Sequence, residues 1–204
     1  EMSSGRHPIV VNCGAGQKFS AIWERKCRAT VSHNTVAIEK TSSSRIAPSG
    51  VVSKTFGERL LDAPANVTRS RKADQQGNWL VATHDGYAAD YGLIHQRRIY
   101  LSPDGREFRG QDSLTATSQE ERKAFKNAIA TVPSLGVSYA AHFHLHPDVK
   151  TKLSDDKKSV ALQLPNKEVW VFRHEGGLLT LESSVFLDQW RHKPRATKQI
   201  VVSS

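Results

Sequence analysis

The stretch L-I-H-Q-R-R-I-Y-L-S-P-D-G-R-E-F-R-G, residues 93–110, constrains the fold more than any other. Alternate residues of a strand share a face. Leu93, His95, Arg97, Ile99 and Leu101 therefore point one way, and Ile94, Gln96, Arg98 and Tyr100 the other. Ser102-Pro103-Asp104-Gly105 then reads as a hairpin turn, because Pro presets φ and Gly accepts positive φ. Neither face of the first run is purely apolar, which suits a groove wall or a position near a sheet edge.

Runs of the same kind recur along the chain. Strands are expected near Ile9–Cys13, Ala29–Glu39, Trp79–Thr83, Leu93–Leu101, Glu107–Leu114, Tyr139–His146, Val160–Leu164, Val169–Arg173, Leu178–Phe186 and Gln199–Val202. About ten or more short strands with frequent turns predict an all-β fold, a large antiparallel β-sandwich. Two segments break the pattern. Thr41–Asn66 is rich in Ser, Ala and Pro and reads as a long loop. Ser118–Ala130 reads as one short helical insertion, with Ser118 and Glu121 spaced as a capping box and a stripe of Phe125, Ala128 and Ile129. Val132-Pro133-Ser134 would end that helix. No internal repeat is visible, and residues 1–204 read as one domain.

Charge narrows the class of partner. Lys and Arg number 29 against 20 Asp and Glu, a formal +9. That balance suits an acidic polysaccharide, a nucleic acid or an anionic surface. The basic residues are spread out, with no dense tract of the kind that forms a nucleic-acid-binding arm, so nucleic acid is not the expected partner. No apolar stretch approaches the length of a membrane span. Two cysteines, Cys13 and Cys27, neither require nor exclude a disulfide.

Histidine patterns supply the candidate chemistry. In A-H-F-H-L-H-P-D-V, His142, His144 and His146 fall on one face of a strand, with Phe143 and Leu145 toward a core. Next-but-one side chains on a strand lie about 6.5–7 Å apart. Two imidazoles at that spacing can share a zinc ion with ligands from elsewhere. They can equally bind substrate, or form the polar outer face of the strand. Ser32-His33-Asn34-Thr35 and His84-Asp85-Gly86-Tyr87 hold further imidazoles, each open to a catalytic, ligating or merely hydrogen-bonded role. Asp85-Gly86 is a turn signal. His95 and Arg97, on one strand face, suit a carboxylate-bearing ligand or a charge-guarded edge. Ser138 lacks the G-x-S-x-G context of a hydrolase nucleophile, and no P-loop, dinucleotide fingerprint or zinc-finger spacing occurs.

Four stretches in order carry a resemblance: I-V-V-N-C-G (9–14), A-T-V-S-H-N-T-V-A-I (29–38), H-D-G-Y with G-L-I-H-Q-R-R-I-Y-L (84–101), and F-H-L-H-P-D-V through T-K-Q-I-V (143–201). Together they resemble the C-terminal domain of heparinase II/III-like proteins. The resemblance implies a β-sandwich that follows an N-terminal α/α toroid, with the toroid and the first strands upstream of this chain. It implies β-elimination of uronic-acid-containing glycans, in which a base removes the C5 proton and an acid protonates the leaving oxygen. Carried over residue by residue, it makes His33, His84, Tyr87 and His95 candidate catalytic groups and Asn34, Arg97, His144 and His146 candidate substrate contacts. His33 also matches a position for a structural divalent metal, zinc or calcium. The implied partners are an acidic polysaccharide and the toroid of the same or a neighbouring chain, and the implied compartment is the bacterial periplasm or cell envelope. Without a toroid-borne acid, the domain alone is expected to be inactive. The alternatives are a non-catalytic module that binds acidic carbohydrate and a structural interaction module.

Overall fold

The structure, a computed structural model, describes residues 1–47, 60–131 and 136–204. The chain packs as two compact units: unit 1 joins Glu1–Ser42 to Ser138–Ser204, and unit 2 is Ser43–Val137. The described elements are antiparallel strands with a few short helices, the all-β class that the alternation predicts.

Unit 1 contains a small hairpin, β1 (Met2–Ser4) and β2 (His7–Val10), the helix α1 (Ala21–Cys27) and β3 (Val36–Ile38). After unit 2 come β10 (Tyr139–His144), β11 (Lys150–Leu153), β12 (Ser159–Gln163), β13 (Val169–Arg173), β14 (Leu178–Phe186) and β15 (Arg195–Ser203). One sheet runs β14-β15-β10-β3 and a second β11-β12-β13. Side chains of both sheets fill one core. Leu179 and Ile200 come from the first, Val160 and Leu162 from the second, with Ile9, Leu145, Val149 and Leu164 between them. Phe143 packs on this cluster and meets the Phe172 ring at 5.2 Å. The expected inward face of the histidine strand is thus the core face.

Unit 2 holds a short pair, β4 (Arg45–Ile46) and β5 (Leu60–Asp62), and a sheet of β6 (Val67–Asp74), β7 (Gly77–Tyr87), β8 (Leu93–Leu101) and β9 (Phe108–Thr115), in that order. Helices α2 (Ala88–Tyr91) and α3 (Gln119–Thr131) complete it. The hairpin turn closes as expected, with Gly105 N–H donating to the Ser102 carbonyl at 3.0 Å. The capping box also forms. Glu121 N–H donates to Ser118 Oγ at 3.1 Å, and Ser118 N–H to Glu121 Oε2 at 3.0 Å. The expected helix stop at 132–134 and most of the Thr41–Asn66 loop lie outside the described residues.

Two expectations change, and one helix is new. Residues 29–35 are not strand: Thr30–Ser32 is a 3-10 turn, and only Val36–Ile38 pairs. Local bonds win there, with His33 N–H donating to the Thr30 carbonyl at 3.0 Å. The A-I-W-E-R-K-C run is a helix because Ser20 Oγ accepts from Trp23 N–H at 3.2 Å, an N-cap. Asp85-Gly86 is not a turn. The strand continues to Tyr87 through a register shift. Gly86 is needed there, since a Cβ would lie 2.6 Å from the Ser43 carbonyl oxygen.

Candidate functional site

The candidate residues fall into two groups, one in each unit. His84, Tyr87, His95 and Arg97 belong to unit 2, and His33, Asn34, His144 and His146 to unit 1.

In unit 2, register brings His84 opposite His95 and Arg97 opposite Asp112. A continuous chain of hydrogen bonds results. Gly86 N–H donates to His84 Nδ1 at 3.2 Å. A backbone amide only donates, so the His84 proton sits on Nε2 and is donated to His95 Nδ1 at 2.9 Å. His95 Nε2–H in turn donates to Asp112 Oδ1 at 2.8 Å. Arg97 grips the same carboxylate with two bonds, Nε to Oδ1 at 2.7 Å and Nη2 to Oδ2 at 2.8 Å. Burial works to raise the Asp112 carboxyl, but the bonds from His95 and Arg97 outweigh it and hold it below the ordinary carboxylate value. Burial, and then the neighbouring His95, push His84 below the usual imidazole value. Tyr87 is 1% exposed, its ring 5.8 Å from that of His84. Each imidazole therefore has both nitrogens occupied, and the group forms a rigid brace between strands.

Asp112 was not among the candidates. The S-P-D-G turn fixes a register that pairs Leu101 with Phe108, and counting outward from it pairs Arg97 with Asp112. The signal was therefore present in the sequence.

In unit 1, His142 and His144 stack at 6.3 Å, 15° from parallel. His144 is buried, where an open groove face was one expectation. Its Nε2–H donates to the Val31 carbonyl at 2.9 Å and its Nδ1 accepts from Ser184 Oγ at 2.9 Å. Burial lowers its basicity, opposed by the Val31 bond. Its backbone N–H donates to Asn34 Oδ1 at 2.7 Å, so Asn34 ties the turn before β3 to β10. His33 donates from Nδ1 to Asn12 Oδ1 at 3.1 Å, and burial lowers its basicity too. Among the described residues no three His, Cys, Asp or Glu side chains converge as a metal site. His146 lies past the end of β10, where its Nδ1 accepts from Asp148 N–H at 3.3 Å and its ring meets Phe186 edge-on at 5.2 Å.

His142 differs from the others. Its Nδ1 is buried and makes no hydrogen bond of good geometry within the protein, and the same holds for Gln199 Oε1. Burial lowers the His142 imidazole, while Gln199, near enough to interact, works to raise it. Both residues line a cavity of about 350 Å³, whose wall also includes Trp23, Lys26, Ser183 and Ser184. Cys13 and Cys27 are free thiols in the same wall. Burial, with a hydrogen bond from Cys13, pushes the Cys27 thiol up to about 12, so it stays protonated at neutral pH. Trp23 and Lys26 sit on α1, which the strand reading missed; Ser20, a good N-cap four residues before Glu24, was the available signal.

The two sheets of unit 1 form an antiparallel sandwich, and its cavity is lined by His142, His144, Gln199, Trp23, Lys26 and two serines. Residues 1–204 match the family described as Heparinase II/III-like, C-terminal, and the chain belongs to that family. It is 29% identical over 204 residues to FtsZ-localized protein C of Caulobacter vibrioides, covering all of this chain and 33% of the relative. The chain thus spans about a third of the length of that curated relative. Among solved structures, a mutant of the heparan sulfate lyase HepC from Pedobacter heparinus shares the fold with a TM-score of 0.65 at 11% identity, over 96% of this chain and 26% of the lyase. Heparinase III does so with a TM-score of 0.62 at 12% identity, over 96% of this chain and 25% of that one.

Proposed function

We propose that this chain is the glycan-holding sandwich of a heparinase II/III-like protein and that it does not cleave glycan unaided. The unit 1 cavity carries the reading. The Trp23 ring offers an apolar face for a pyranose, and Lys26 an ammonium for a uronate carboxylate. Ser183 and Ser184 offer partners for hydroxyl groups. Elimination needs a free base, an acid for the leaving oxygen and a group that neutralises the carboxylate. His84, His95 and His144 have both ring nitrogens engaged and Tyr87 is buried, which supports a base supplied from elsewhere. The missing acid and base would come from a toroid of the same or a neighbouring chain, as in the family pattern, and the periplasm or cell envelope is the compartment this reading implies. The test incubates the 204-residue chain with heparan sulfate and with alginate, reading both affinity and the ultraviolet absorbance of unsaturated uronate. Salt-sensitive binding without turnover, weakened by Lys26→Ala, is expected; turnover by the chain alone overturns the reading.

A second reading has its own support, since the Caulobacter vibrioides relative matches along the whole chain and is named for localising with FtsZ. On that reading the chain is an interaction module of an FtsZ-containing assembly. Co-sedimentation with FtsZ filaments, together with indifference to acidic glycans, would select it.

A further inference from the structure

The two faces of the unit 2 sheet are unlike. One carries the His84, His95, Arg97 and Asp112 brace. The register places Trp79, Tyr100 and Arg109 in a row across the other face, with Lys72 beside Trp79 and Arg98 beside Tyr100. Trp79 is 44% exposed, and its ring meets that of Tyr100 at 4.4 Å, tilted by 40°. The Arg109 guanidinium lies 5.7 Å from the Tyr100 ring centre.

We propose that this face is a platform for an extended acidic glycan chain, a contact separate from the unit 1 cavity. It rests on the acidic-glycan reading above and adds a second place where the glycan is held. The platform is rigid before any ligand arrives. Tyr100 donates its hydroxyl to the Gln76 carbonyl at 2.9 Å, and its ring lies so close over Gly77 (φ +135°) that a Cβ there would sit 2.5 Å from it. A pre-set aromatic surface loses little entropy on binding. The apolar face of a pyranose ring stacks on such a surface.

Charge selects the class of sugar. Lys72 is paired with Asp74 at 2.9 Å and Arg109 with Glu107 at 2.8 Å. Among the described residues Arg98 donates only to the neutral Gln96 Oε1, at 2.9 Å, and so offers the face a cation for a carboxylate or sulfate. The Gln96 and Gln111 amides, which share the face, suit sugar hydroxyls.

The test uses the 204-residue chain, its Trp79→Ala, Arg98→Gln and Lys26→Ala variants, and fluorescently labelled heparan sulfate oligosaccharides, with an uncharged glucan and a single-stranded oligonucleotide as competitors. Trp79→Ala is expected to weaken binding about tenfold. Arg98→Gln, on an exposed side chain that no core depends on, should weaken it several-fold and flatten the salt dependence. The uncharged glucan should compete poorly and the oligonucleotide not at all. If the parent chain binds but both platform variants bind as it does, the platform is wrong while the glycan reading stands. Loss of all binding in Lys26→Ala alone would place the glycan solely in the cavity and overturn the platform. Failure of the parent chain to bind any acidic glycan overturns both. Efficient displacement by the oligonucleotide would reassign the face to nucleic acid. Should Trp79→Ala unfold, Arg98→Gln decides.

Discussion

The two units reach order by different means. In unit 1, two sheets enclose Leu145, Val160, Leu179 and Ile200 with almost no exposure. In unit 2, only Tyr87 and Leu93 are buried apolar side chains among the described residues, and every residue of β6 is exposed. What takes the place of an apolar core there is the chain from Gly86 through His84 and His95 to the Asp112–Arg97 pair. Hydrophobic burial is non-directional and tolerates rearrangement. A polar chain is directional, and removing one member leaves its neighbours unsatisfied. The first unit should therefore respond to lost volume and the second to lost charge.

The largest effect should come from Leu145→Ala, which empties part of the sandwich core and is expected to cost about 2–5 kcal/mol by denaturant titration. A cost under about 1 kcal/mol would mean that the two sheets do not share one core there. Next comes Asp112→Ala, which strands the His95 and Arg97 donors in a half-buried site. About 2–4 kcal/mol is expected, with hydrogen-exchange protection lost in β7, β8 and β9 and kept in β10 and β15. Equal loss in both sets of strands would break the contrast between the units.

The pH response sharpens the comparison. His84, His142 and His144 have folded values below the ordinary imidazole value, so the unfolded chain takes up protons first as the solution is acidified. Stability should be complete above about pH 6.5 and fall as pH drops through the imidazole range. The Asp112 carboxyl is also held low, so its share persists above the carboxylate range and is lost only at still lower pH. Two separate declines are expected in a series of unfolding curves from neutral to acid pH. His144→Phe should shrink the upper one, and an unchanged profile in that variant would refute the buried neutral assignment. The smallest effect is Ser20→Ala, which removes the α1 cap at a cost of about 1 kcal/mol and should loosen the cavity wall that carries Trp23 and Lys26. Weaker glycan binding with little change in melting temperature is the expected signature.

Features encoded by near neighbours were readable. The β8–β9 hairpin, the α3 capping box and the strands β13 and β14 depend on residues a few positions apart, and the structure reproduces them. β6 was not readable. V-T-R-S-R-K-A-D lacks apolar alternation because neither of its faces is covered, and pairing to β7 alone holds it extended. The Ala29–Glu39 run looked like one long strand because Val31, Thr35 and Val36 are β-branched, yet the hydrogen bonds of His33 and Asn34 bend it first. At the site, the alternation of His142 and His144 was legible, but their difference was not. His144 is satisfied by Val31 and Ser184, 113 and 40 positions away, while His142 Nδ1 makes no hydrogen bond of good geometry and has Gln199 as its neighbour.

The sequence by itself determined the strand class, the side-chain faces and the basic character of this protein, because backbone stereochemistry makes alternation a local property. Tertiary structure alone decided which imidazoles are buried, which ring nitrogen carries the proton and which polar atoms face a cavity. Those outcomes depend on groups brought together from distant parts of the chain, and a buried polar atom is settled by its partner rather than by its own type.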